Sequence, residues 1–182
     1  MTRIILITLL TLLFVPNSFA ASHHNRSSSA STSSFSTEEH PFGLGVVIGE
    51  PTAITAKYWL DGKHSIDGGL GAFFGSYTLL YADYLFSYPG AFGHQSAFVS
   101  QLTPYFGAGP VLAFTTSSYD NNNNLRGKNS GDIGLGVRVP GGIEWRPNDP
   151  TIGVYVELAP GISIMPQVGI FLQAGIGIRY YF

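Results

Sequence analysis

The sequence predicts an all-β chain, an eight-stranded antiparallel up-and-down transmembrane β-barrel behind a disordered N-terminal leader. Three observations carry that expectation. Apolar and polar residues alternate with period two over stretches longer than soluble strands use. The polar face is poor in charge and rich in glycine. Aromatic residues on the apolar face gather at strand ends.

Composition sets the bounds. A chain of 182 residues suffices for one domain and is too short for two substantial ones. It contains no cysteine, so neither a disulfide framework nor a thiolate metal site is available. Only 11% of residues are charged, where a soluble domain carries roughly 25%. A folded surface that poor in charge needs something other than water against part of it. The formal charge of -2 and the absence of any basic run argue against nucleic acid as a partner.

The first twenty residues read as an export signal. Arg3 precedes an apolar run from Ile4 to Val15, and Ser18 and Ala20 supply a small-x-small cleavage site. The run is 12 residues long, short of the roughly 20 that a membrane-spanning helix needs. The mature chain is therefore expected to begin at Ala21. Residues 21–41 follow as a Ser-rich segment that cannot bury enough surface to offset its ordering entropy. His23, His24 and His40 lie in it and read as solvated polar residues.

From residue 42 to 182 strand-like alternation takes over. Strands are expected near 42–49, 52–60, 64–74, 77–87, 101–114, 132–146, 151–163 and 168–182. The breaks between them are Glu50-Pro51, Asp61-Gly62-Lys63, Gly75-Ser76, the stretch 88–100, an Asn-rich loop 115–131, Pro147 to Pro150, and Ile164 to Gln167. Most are of hairpin length, which makes an antiparallel meander. The sixth strand shows the pattern best. Ile133, Leu135, Val137, Val139, Gly141, Ile143 and Trp145 share one face, while Arg138, Glu144, Arg146 and four intervening Gly or Pro residues share the other. Soluble strands average roughly 5–6 residues, and a tilted membrane strand needs roughly 9–11 plus its ends. The last strand repeats the pattern, with Ile170, Leu172, Ala174, Ile176, Ile178, Tyr180 and Phe182 on one face. Pro104 and Pro110 count against the fifth, because proline cannot donate to a ladder.

Alternation alone does not say which face points outward. Lys57, Asp67, Asp83, Arg138, Glu144, Glu157 and Arg179 share the polar face by parity, three basic and four acidic among many glycines. That set suits the crowded interior of a narrow barrel, where near-balanced charges pair and small residues leave room. On the apolar face, Tyr58, Tyr84, Phe86, Trp145, Tyr180 and Phe182 close alternate strands, and Phe42 opens the first. A meander brings all of these to one rim, with Phe74 and Phe114 at the other. Aromatic bands flanking an aliphatic belt are the girdle pattern of a membrane barrel.

The final residues, Gly175-Ile-Gly-Ile-Arg-Tyr-Tyr-Phe182, resemble the C-terminal strand signal read by the outer-membrane barrel assembly machinery. The likeness rests on Gly177, Tyr180 and Phe182, and it departs at Gly175, where the signal has a polar residue. Over residues 42–182 the chain resembles the OmpA/OmpX-type eight-stranded barrels. It looks closer still to a group of small outer-membrane barrels of unsettled role. The shared-looking stretches are Gly49-Glu50-Pro51-Thr52, Lys57-Tyr58-Trp59, Ala82-Asp83-Tyr84, Arg138-Val139-Pro140, Glu144-Trp145 and Glu157 to Gly161. The resemblance implies residence in outer-membrane lipid and handling by the assembly machinery. It carries no activity with it.

The leading expectation for function is a structural or surface-interaction barrel, with no catalytic, cofactor-binding or metal-binding residues. The contact surface for an extracellular ligand would be loop 115–131, with Asn121 to Asn124. A solvated loop with no partner is the alternative reading of those residues. The runner-up function is an outer-membrane lipid-modifying enzyme, for which His64, Asp67, His94 and Ser96 are the available parts. A passive pore is not expected, because eight strands enclose only enough space for side chains.

Overall fold

The structure, a computed structural model, describes residues 40–73, 77–93, 95–115, 132–147 and 151–182. The export signal, most of the Ser-rich segment, Phe74, His94 and nearly all of the Asn-rich loop lie outside the described residues. Nine strands are described: β1 (Phe42–Glu50), β2 (Thr52–Trp59), β3 (His64–Phe73), β4 (Tyr77–Ser87), β5 (Leu102–Thr115), β6 (Ile133–Arg138), β7 (Gly141–Trp145), β8 (Ile152–Met165) and β9 (Gly169–Tyr181). One short helix, α1 (Ala97–Ser100), stands between β4 and β5.

These strands make a closed ring of eight staves. Each pairs antiparallel with its neighbour in sequence, β1 pairs with β9, and no open edge is left among them. β6 and β7 together form the sixth stave, both pairing with β5 on one side and β8 on the other. The molecule is thus an all-β, up-and-down barrel, as the alternation implies.

Two local features depart from the sequence expectation, and proline accounts for one directly. The stretch 132–146 is not one strand but two, interrupted at Val139 and Pro140. Pro140 has no N–H for the ladder, although its carbonyl still accepts from the Gly107 amide at 2.8 Å. Similarly, β4 and β5 pair from Tyr77 to Tyr81 and from Tyr84 to Ser87, but not at Ala82–Asp83, opposite Gly109–Pro110. The second departure is α1, a single turn too short to carry a helical period. Ser96 caps it, its side-chain oxygen accepting from the Val99 amide at 3.3 Å.

Side-chain direction follows parity. Ile48, Ile54, Leu70, Val137, Val156, Ile162, Ile170 and Ile176 are exposed on the outer wall. Lys57, Asp67, Asp83, Arg138, Glu144 and Arg179 are at most 2% exposed, inside it. A soluble barrel has the opposite polarity, with aliphatics inside and charges in water. An aliphatic outer belt over a polar interior is the arrangement of a barrel solvated by lipid.

The glycine-rich inner face has a packing reason. Five large inward rings each lie across a glycine directly opposite on the neighbouring strand: Tyr81 over Gly69, Tyr105 over Gly142, Tyr155 over Gly177, Phe171 over Gly161, and Tyr181 over Gly43. At Gly43 a Cβ would stand 2.6 Å from the Tyr181 ring, a distance that real contacts do not reach. Small residues therefore give the aromatic rings the lumen's cross-section.

Candidate functional site

The most constructed part of the molecule is its interior. Toward the rim where β4 begins and β5 ends, Tyr77, Leu79, Tyr81, Val111, Ala113 and Phe171 form an apolar plug. Charged residues fill the middle and the other end, arranged around three cations.

Arg138 holds the first group. Its Nε donates to Asp83 Oδ2 at 3.0 Å, Nη1 to Gln173 Oε1 at 2.8 Å and Nη2 to Glu157 Oε1 at 2.5 Å. The guanidinium lies 3.9 Å over the Tyr81 ring, and Tyr105 completes the group by donating to Glu157 Oε2 at 2.9 Å. Arg179 holds the second. Its Nη2 donates to Asp67 Oδ2 at 2.5 Å and its Nε to Thr55 Oγ1 at 3.3 Å, with the plane 4.0 Å over Tyr155. Lys57 holds the third, donating to Glu144 Oε2 at 2.7 Å, while the Tyr181 hydroxyl donates to the other oxygen of Glu144. Lys57 and Arg146 both approach the Trp59 ring, at 4.2 and 4.4 Å.

All seven charged residues singled out by parity thus project inward and meet in pairs across the lumen, six fully buried and Glu157 with an 11% exposed side chain. Arg146, which the alternation puts on the same face as Arg138 and Glu144 but which was not counted with the seven, is 9% exposed. With it the described lumen carries four basic and four acidic side chains. Formal neutrality is what a low-dielectric interior demands, since each unpaired ion there costs several kcal/mol. The tyrosines, Thr55 and Gln173 were also passed over, because their roles depend on register rather than residue type. A lumen pocket beside Tyr81, Arg138, Glu157 and Gln173 has a volume of about 10 Å³, room for roughly one water.

The outer rim where β1 begins and β9 ends carries the aromatic band. Phe42 stacks on Phe182 with centroids 6.2 Å apart, and Phe182 meets Tyr180 edge-on at 4.9 Å. Farther round, Tyr84, Phe86, Phe106 and Tyr88 form a continuous series of ring contacts between 5.2 and 5.7 Å. Phe98 leans on Trp145 at 6.0 Å. Of the opposite band, Phe114 faces outward. Gly177, Tyr180 and Phe182 all lie at the end of β9, where Phe182 N donates to Phe42 O at 2.8 Å across the seam that closes the ring.

Of the four residues considered for catalysis, His94 lies outside the described residues, and His64, Asp67 and Ser96 are not brought together. His64 Nδ1 lies 2.7 Å from Asp61 Oδ2 in the β2–β3 turn, not near Asp67. Asp67 sits on the opposite face, inside the lumen on Arg179. Ser96 is the cap of α1. Asp61 also accepts from the Lys63 and His64 amides, both at 2.7 Å. The His64 hydrogen bond first, and then these amides, lower the Asp61 carboxyl to about 2. Among the described residues no group of three or more His, Asp or Glu side chains could hold a metal ion.

No family model and no curated protein matches this sequence. Solved structures do. The N-terminal β-barrel domain of Pseudomonas aeruginosa OprF is similar with a TM-score of 0.52 and 14% identity, over 78% of this chain and 95% of that one. A de novo designed transmembrane β-barrel is similar with a TM-score of 0.50 and 19% identity, over 78% of this chain and 94% of that one. The chain has the fold of the small outer-membrane β-barrels. The outer membrane enzyme PagL is similar at a TM-score of 0.48 and 15% identity, over 77% of this chain and 99% of that one. At such identities activity is not inferred from a likeness of structure.

Proposed function

We propose that this barrel resides in the outer membrane after export, as a closed structural or surface-interaction protein without catalytic activity. The observation that carries this reading is the filled lumen. Among the described residues the interior is occupied by an apolar plug and three cation-centred ion-pair groups, which argues against a passive path for solutes or a substrate pocket in the lumen. Any function then lies on the outside. The Asn-rich loop between β5 and β6, residues 115–131, is the candidate contact surface, and outer-membrane lipid and the barrel assembly machinery are the expected partners. The test is a binding screen on the purified barrel against envelope and host-surface components, with and without the Asn-rich segment. Binding that vanishes with the segment supports the reading. Solute flux through the barrel in liposomes would contradict it.

A second reading, a lipid-modifying enzyme, has one observation in its favour: the His64–Asp61 pair beside Tyr84 and Phe86 at the rim. Acyl release from phospholipid or lipopolysaccharide that is abolished by His64→Ala would establish it.

A further inference from the structure

The segment that joins β4 to β5, residues 88–101, does not extend away from the barrel as a polar turn. It contains no Asp, Glu, Lys or Arg, and Tyr88, Phe92 and Phe98 are all exposed. Its return is pinned to the outer wall. The Trp145 indole N–H donates to Gln101 Oε1 at 3.1 Å, the Arg146 amide donates to Gln101 O at 3.1 Å, and Phe98 rests on Trp145. Phe98 and Trp145 together overhang the outer surface of β7, β8 and β9.

Beneath that overhang is an open groove with a volume of about 830 Å³, within the roughly 300–1,000 Å³ typical of small-molecule sites. Its walls are Ile143, Val156, Leu158 and Ile176, all exposed. Two small outward residues deepen its floor. Gly141 and Ala174 lie in one cross-strand row, on either side of Leu158. Glu157 also borders the groove, but its carboxylate turns inward to Arg138 and Tyr105. The groove presents no polar side chain that would hold a polar ligand.

We infer that this groove is a binding site for one acyl chain of a bilayer phospholipid, held at its rim end by Phe98 and Trp145. The occupant follows from continuity. The groove opens along its length onto the aliphatic belt, which lipid already covers, so the neighbouring molecules are alkyl chains. What distinguishes the site from the rest of the belt is depth and the overhang, which restrict a chain that would otherwise exchange freely.

Two features make the inference testable in the full-length barrel. Trp145 is a reporter in the groove wall, and Trp59, the other tryptophan, is 3% exposed inside the lumen. Gly141 has room for a Cβ, which would meet only the Tyr105 backbone oxygen, at 3.9 Å. The barrel is folded into phosphatidylcholine vesicles that contain phosphatidylcholine brominated at mid-chain, with Trp145→Phe giving the Trp59 background. In parallel, mid-chain spin-labelled phosphatidylcholine gives the number of motionally restricted lipids per barrel. Gly141→Phe should lose most of the Trp145 quenching and one restricted lipid per barrel. Ala174→Met should do the same if Gly141→Phe does not assemble. Unchanged quenching and an unchanged count in the filled variants would overturn the site. Quenching by brominated free fatty acid alone, and not by the phospholipid, would overturn the assignment to bilayer lipid. Deleting the Asn-rich segment should leave both readouts unchanged, so failure here is separable from failure of the surface-interaction reading.

Discussion

Arg179→Met removes the cation from one of the fully enclosed ion pairs in the lumen. Arg179 Nη2 and Asp67 Oδ2 are 2.5 Å apart, with side chains 0% and 1% exposed. Asp67 Oδ1 has no hydrogen-bond partner, so after the substitution the carboxylate would keep no cation in direct contact. Breaking a buried pair on one side costs about 3–5 kcal/mol, whereas replacing both members with apolar groups of similar volume is often neutral. The second substitution, Asp67→Leu, restores charge balance in the lumen. The single variant should therefore be destabilised by about 3–5 kcal/mol, and the double variant should recover most of that loss. Urea unfolding in phosphatidylcholine vesicles, followed by tryptophan emission and heat-modifiable gel mobility, measures both. A single-variant cost below about 1 kcal/mol, or a double variant as unstable as the sum of its parts, would refute the account of the lumen as a paired interior.

Other consequences are as direct. Val137→Arg places a charge on the outer wall, where Val137 is 43% exposed between Pro110 and Ile162; insertion should weaken by about 2–4 kcal/mol if it sits near the midplane, read as lost folded band on gels. Phe182→Ala should slow assembly in cells more than it weakens the barrel. Its rim contacts with Phe42 and Tyr180 are worth only about 1–3 kcal/mol, so refolding into detergent should succeed while unfolded protein accumulates in the periplasm. The Asp61 carboxyl should titrate at about 2 by NMR. Because its folded value is depressed, the turn's contribution to stability is present above the ordinary carboxylate range and fades as pH falls toward about 2. A midpoint near 3.8 would show that the His64 and amide hydrogen bonds do not form.

Parity made much of this structure legible. Side-chain direction has period two in a strand, so one correctly phased residue orients all the others, and Lys57, Asp67 and Arg179 follow from that alone. The same rule, applied more strictly, excludes a pairing that residue type suggested. His64 and Asp67 are three positions apart in one strand, hence on opposite faces, and the partner of His64 is Asp61 in the adjacent turn. Register was not legible. The stacking of Tyr155 on Gly177 and of Tyr181 on Gly43 depends on which residues of distant strands stand opposite. Nor was the division of the sixth stave visible in alternation, because Pro140 keeps the side-chain phase while removing the hydrogen bond that would continue the ladder. The groove under Phe98 needed the return path of residues 88–101, which no periodicity encodes.

The most direct test of the central claim, an aliphatic wall in lipid around an ionic interior, is a nitroxide scan along β9. The chain has no cysteine, so single-cysteine variants can be labelled one at a time from Ile170 to Tyr181 in vesicles. Collision with dissolved oxygen should alternate with period two. Maxima are expected at Ile170, Leu172, Ala174, Ile176, Ile178 and Tyr180, and minima at Phe171, Gln173, Gly177, Arg179 and Tyr181. A flat profile, or maxima at the second set, would contradict it.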